Sequence, residues 1–220
     1  MSVRVGAVAM NGKKSGKLDE RLLLLYERAD AAFEQGDWDY TINVCESLLV
    51  RVPAALEVRQ LLRKAQKGRF GDGRPSRFTL FVRAGSLVRL WWLARNDPER
   101  CLVEAESLLS RHPYQPRVHR LLGECAFDLG DLSTAAFSFA EWQKQEPDRL
   151  AAHLALVGVL LSVGCAVEAI AAAEVGVNRF PDSVELRQLL KNASVALSME
   201  EGSWNVSGDF RNKLAVRPDE

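Results

Sequence analysis

Three prolines, Pro113, Pro147 and Pro181, stand 34 residues apart, and the same order of residue types precedes each of them. A run with helical spacing ends at a turn residue, a second run follows, and then comes the proline. The turn residues Asn96, Gly130 and Gly164 keep the same interval, as do the small residues Cys101, Ala135 and Ala169. A fixed period of this length is the mark of stacked helical hairpins. Two helices of three to four turns and two short connections fill one period. Glycine supplies the left-handed conformation that ends the first helix. The aspartates Asp37, Asp97 and Asp131 can cap the second helix, and Pro98 suits its first position. A small residue lets the paired helices approach, and the terminal proline ends the unit. A fourth unit ends at Pro53, with its turn at Gly36-Asp37 and Thr41 at the small position.

On these residues the chain resembles the tetratricopeptide repeat (TPR) family. The third unit carries the resemblance most fully, through Leu122-Gly123, Gly130, Ala135, Phe139 and Pro147. The first carries it through Gly36-Asp37-Trp38-Asp39-Tyr40, Ile42 and Pro53, and the fourth through Gly164, Ala169-Ile170 and Pro181. The second has Asn96 where the family has glycine. The resemblance covers roughly 22–53 and 82–181. It implies an all-α fold, a right-handed α-α superhelix of hairpins closed by capping helices.

Pro53 and Pro113 lie 60 residues apart, too far for one period, so something is inserted between the first unit and the other three. Leu56-Glu57-Val58-Arg59-Gln60-Leu61-Leu62 nearly repeats as Val184-Glu185-Leu186-Arg187-Gln188-Leu189-Leu190, each after a repeat-ending proline. Both read as helices, and the second is placed to cap the open face of the last repeat. The expected organisation is a basic, flexible segment at 1–17, a single hairpin plus helix at 18–67, and a linker at 68–77 marked by Gly68, Gly71, Gly73 and Pro75. Three hairpins plus a capping helix follow at 78–200, then a tail at 201–220.

The remaining composition excludes more than it suggests. Lys plus Arg equals Asp plus Glu at 29 each, so no global charge drives the chain toward nucleic acid. The first seventeen residues lack the apolar run of a secretory signal, and Arg83 and Arg89 interrupt the most apolar stretch, 78–94. A cytoplasmic protein is expected. Cys45, Cys101, Cys125 and Cys165 are far apart in sequence and read as buried apolar residues. His119 and His153 fall at the same repeat position, which repeat packing explains. No metal or phosphate motif and no activated nucleophile is present. No cofactor and no catalysis are expected.

The resemblance also implies where a partner would sit. In TPR arrays the second, fifth, ninth and twelfth residues of each repeat line the concave groove. Here these are Arg83, Ser86, Leu90 and Leu93, then Arg117, Arg120, Glu124 and Phe127, then Ala151, Leu154, Gly158 and Leu161. Each set lies on one helical face. The expected partner-binding groove is Arg83, Leu90, Leu93, Arg117, Arg120, Glu124, Phe127, Leu154 and Leu161, holding a protein or peptide. The clamp by which some TPR domains hold a chaperone carboxylate needs Asn at the ninth position, where Leu90, Glu124 and Gly158 stand. An apolar groove left open could instead be covered by the chain's own tail or build a homo-oligomer.

Charge is unevenly distributed. Residues 59–89 hold nine bases and one acid, whereas 97–148 hold ten acids and five bases. Arg63, Lys64, Lys67, Arg69, Arg74 and Arg77 form an expected basic surface. Contact with a membrane or with nucleic acid through it is the disfavoured reading. An acidic partner, such as the acidic middle of a second copy, would also meet this charge. Trp38, Trp92 and Trp142 are expected in the core, and Trp91 has less reason to be buried.

Overall fold

In the computed structural model, which describes residues 18–71 and 84–206, ten helices are found among the described residues. They are α1 (Glu20–Glu34), α2 (Trp38–Arg51), α3 (Leu56–Phe70), α4 (Ala84–Asn96), α5 (Pro98–Arg111), α6 (Pro116–Asp128), α7 (Leu132–Gln145), α8 (Leu150–Val163), α9 (Ala166–Arg179) and α10 (Val184–Val206). Hairpins α1–α2, α4–α5, α6–α7 and α8–α9 are the four expected repeats. The expected segment 1–17, residues 72–77 of the expected linker, and 207–220 of the tail lie outside the described residues.

Three of the four turns have one design. Gly36, Gly130 and Gly164 take positive φ of 80°, 76° and 83°. The next residue's N–H then reaches back five residues: Asp37 to the Ala32 carbonyl at 3.0 Å, Asp131 to Ala126 at 2.9 Å, and Cys165 to Leu160 at 3.0 Å. These bonds satisfy carbonyls orphaned at the helix end. Asp37 and Asp131 go on to accept from the Tyr40 and Thr134 N–H groups, each at 3.1 Å, and so start the second helix.

The α4–α5 turn departs from this design. Asn96 was expected as the turn residue, but it is the last residue of α4. The Asp97 N–H bonds to the Leu93 carbonyl at 2.7 Å, four residues back as in a helix. A left-handed turn costs asparagine more than glycine. The helix therefore runs on, and one residue, Asp97, joins it to α5. Asp97 still caps α5 through the Arg100 N–H at 3.1 Å.

The small positions do what close packing requires. Thr41, Cys101, Ala135 and Ala169 are all fully buried. The Thr41 hydroxyl donates across its hairpin to the Ala29 carbonyl at 3.2 Å. At Gly123 a Cβ would stand 2.5 Å from the Phe139 ring, so only glycine admits that ring.

Packing divides the chain into two units, one ending at Glu146 and the other beginning at Pro147. In the first, α3 lays Val58, Leu61, Leu62 and Ala65 on a core with Leu22, Ala29, Ile42, Cys45 and Leu48 from α1 and α2. Helix α4 packs on α5 and α6, and α6 on α5 and α7. In the second, α9 and α8 both carry α10, whose Leu186 and Ala193 are buried.

The division thus falls elsewhere than the expected linker at 68–77. Helix α3 continues through Phe70, and Gly68 is a packing residue within it, where a Cβ would come 3.2 Å from the Trp38 ring. The opposite face of α3 is bound to α5 and α7, which places the first hairpin in one unit with the next two. Helix α10 packs on α8 and α9 and extends past residue 200 to Val206.

Candidate interaction surfaces

Arg59, Arg63, Gln66 and Lys67 of α3 stand at i, i+4, i+7 and i+8, on the side away from its apolar stripe, so one face of the helix is polar. That face is buried. Arg59 Nε donates to Glu106 Oε1 and Arg63 Nη2 to Glu106 Oε2, both at 2.7 Å. Arg59 also donates to the Thr134 hydroxyl at 2.5 Å and to the Pro53 carbonyl at 2.8 Å. Gln66 Nε2 donates to the Ser110 hydroxyl at 2.8 Å, and Lys67 Nζ to Glu141 Oε2 at 2.5 Å. Arg69 donates to Asp39 at 2.9 Å and to the Ser110 carbonyl at 2.6 Å.

Electrostatics in this seam are decided by the cations. Burial opposes the charge on Glu106, but Arg63 and Arg59 outweigh it and hold the carboxyl below its ordinary range. Burial likewise opposes the charge on Glu141, and Lys67 with Lys144 brings it down to about 2. The seam is closed by charge rather than by apolar area. Removing one partner of such a buried pair would leave an uncompensated charge.

Three of the four described residues of the expected basic surface are engaged within the molecule. Arg63 is buried and Lys67 is half-buried against Glu141. Arg69 is engaged on two sides, Lys64 is exposed, and Arg74 and Arg77 lie outside the described residues. The acidic partner considered from the sequence is the acidic middle of the same chain. The signal was present in the opposite charge of 59–89 and 97–148, but a count of charges does not show which side chains share a helical face.

The expected groove residues separate into three groups. Leu90 and Leu93 are buried rather than lining a surface. With no glycine turn, α4 presents a different side to α5: the Leu90 carbonyl lies 3.7 Å from Cys101 Sγ. The same difference brings Trp92, expected in the core, to the outside, 57% exposed, beside Trp91 at 47%. The Arg95 guanidinium sits 4.5 Å from the Trp91 ring centroid. Arg83 lies outside the described residues.

Helix α6 has one buried side and one exposed side. Val118, Leu122, Cys125 and Ala126 are buried, while Arg117, Glu124 and Phe127 are exposed and Arg120 is half-buried. Arg120 Nε is 3.1 Å from Glu124 Oε1, and its guanidinium lies 5.9 Å from the Trp142 ring centroid. Partial burial raises the Glu124 carboxyl, against the lowering effect of Arg120. In the second unit, Leu154 and Leu161 are half-buried on α8.

The repeat histidines are packing groups. His119 and His153 each place Nε2 2.9 Å from the carbonyl of the proline six residues earlier, Pro113 and Pro147. Since a carbonyl only accepts, Nε2 carries the proton. Burial and the nearby Arg63 lower His119 to about 4. Cys45, Cys101 and Cys125 are buried free thiols, and Cys165 is half-buried. Among the described residues no cluster of three or more His, Cys, Asp or Glu could hold a metal ion. No helix there is long and apolar enough to cross a membrane.

No protein-family model and no curated protein matches the chain. Solved structures do. The MamA protein structure is 14% identical, covering 92% of this chain and 100% of that one, with a TM-score of 0.43. A thermophilic TPR protein of Thermus thermophilus, TTC0263, is 21% identical over 79% of this chain and 81% of its own, with a TM-score of 0.38. The TPR2AB domain of yeast Sti1, in complex with pHSP90, is 12% identical over 80% and 86%, with a TM-score of 0.42. With its 34-residue period, its glycine-closed turns and its small-residue helix crossings, the chain is an all-α helical repeat protein whose hairpins resemble those of TPR structures.

Proposed function

We propose that this chain is a non-catalytic interaction scaffold that holds a partner peptide or subunit against the exposed face of α6. One observation carries the reading. Arg117, Arg120, Glu124 and Phe127 lie along one side of a helix whose other side is wholly buried. Phe127 is 45% exposed, a large apolar group set among charges that could fix the register of a bound chain. Aromatic and arginine side chains commonly dominate the energetics of such contacts. Arg120 and Glu124 would exchange their mutual pair for contacts to the partner. The half-buried Leu154 and Leu161 offer a separate apolar strip on the second unit.

The double variant R120A/F127A tests this reading. Native-host proteins retained by the wild-type chain should be lost from the variant while its helical circular dichroism stays the same. Equal retention by both removes the α6 face from the account. Contact with an anionic surface has less support, because Arg63, Lys67 and Arg69 are already paired within the molecule.

A further inference from the structure

Two outward helix faces carry opposite charge and similar apolar groups. On α1, Leu22 and Ala29 are buried and Leu25, Tyr26 and Phe33 pack beside them. The opposite side carries Glu20, Glu27 and Glu34, each two turns apart and so in one line. Leu24, 52% exposed, and Leu23, 45% exposed, flank that line. On α10, Leu186 and Ala193 are buried, and the opposite side carries Arg187 and Lys191, one turn apart and exposed. Exposed Val184, Val195 and Met199 flank them. No ion pair holds these glutamates, Arg187 or Lys191 among the described residues.

The chain itself shows how such a basic face is used. Arg187 and Lys191 stand where Arg59 and Arg63 stand in the near-identical stretch of α3. There, two cations one turn apart grip a single glutamate, Glu106, at 2.7 Å each. In α3 this face is filled from within the chain, whereas in α10 it is exposed among the described residues. We propose that α10 of one copy docks on α1 of a second copy, with Arg187 and Lys191 set against the Glu20–Glu27–Glu34 line and Val195 and Met199 against Leu23 and Leu24. The surfaces are different, so the contact is heterologous, and repeated addition gives a ring or an open filament. This is independent of the α6 face proposed for a partner peptide.

Charge reversal tests the contact, since all the residues changed are exposed. The E20K/E27K/E34K variant has two basic faces, and the R187E/K191E variant has two acidic ones. In sedimentation velocity from micromolar to millimolar protein, wild-type mass should rise with concentration and fall back as salt is added. Each variant alone, with wild-type circular dichroism, should self-associate at least about a hundredfold more weakly. An equimolar mixture of the two variants should recover assembly, because each face again meets its opposite. A wild-type chain that stays monomeric at low salt overturns the proposal. So does assembly that survives both reversals, or a mixture that stays as dissociated as its components.

Discussion

Glu106 Oε1 accepts from Arg59 Nε at 2.7 Å across 47 residues of sequence, and its second oxygen accepts from Arg63 at the same distance. One carboxylate thus ties α3 to the second hairpin, and Thr134 and Glu141 tie it to the third. The rest of the seam, from Gln66 to Arg69, extends the same contact. A junction of this kind depends on the protonation and pairing of a few groups.

Replacing Glu106 by Gln should leave two buried guanidinium groups facing an amide. Removing one partner of a buried pair costs about 3–5 kcal/mol. Urea unfolding should show a loss of that order. A shape-matched apolar replacement of all three, R59M/R63L/E106L, should recover most of it, because no uncompensated charge then remains. Equal losses in both variants would mean that packing rather than charge holds the seam.

Acid should weaken the protein in two windows. His119 is lowered from 6.5 to about 4 in the folded state. The unfolded chain therefore takes up a proton first, and stability present above pH 6.5 is lost as pH falls toward 4. The difference corresponds to about 3 kcal/mol. Glu141 is lowered from 4.5 to about 2, so its contribution persists above 4.5 and is lost as pH falls from there toward 2. Unfolding free energy measured across pH should fall in the upper window for wild type and stay level there for H119N.

Trp92 and Trp142 should respond oppositely to truncation. Trp142 is buried, with its indole N–H donating to Glu146 at 2.8 Å, and W142A should cost about 3–5 kcal/mol. Trp92 stands outside on α4, and W92A should change stability by no more than about 0.5 kcal/mol. Thermal unfolding of the two variants gives the comparison. A large loss from W92A would mean that Trp92 is packed.

The hairpins were legible because their signals are local. Gly36, Gly130 and Gly164 are needed where φ turns positive, Asp37 and Asp131 where an N-cap is required, and Ala135 and Ala169 where helices cross. On α6 the apolar positions Val118, Leu122, Cys125 and Ala126 are buried, and a regular helix with one buried side leaves its other side exposed. Asn96 misled because a substitution in a turn changes more than the turn. Here α4 runs to Asn96 with no left-handed turn, and the side that meets α5 differs, with Leu90 and Leu93 inward and Trp92 outward.

By itself the sequence determined the helical hairpins, their turns, and the two near-identical helices α3 and α10 that follow repeat-ending prolines. Only the tertiary structure decided what those two helices do with the same basic face. Arg59 and Arg63 find Glu106 within the chain, whereas Arg187 and Lys191 are exposed among the described residues. The physical reason is that helix formation and capping are settled within a few residues. The pairing of a buried charge instead depends on which distant carboxylate the packing of α5 and α7 brings within 3 Å of it.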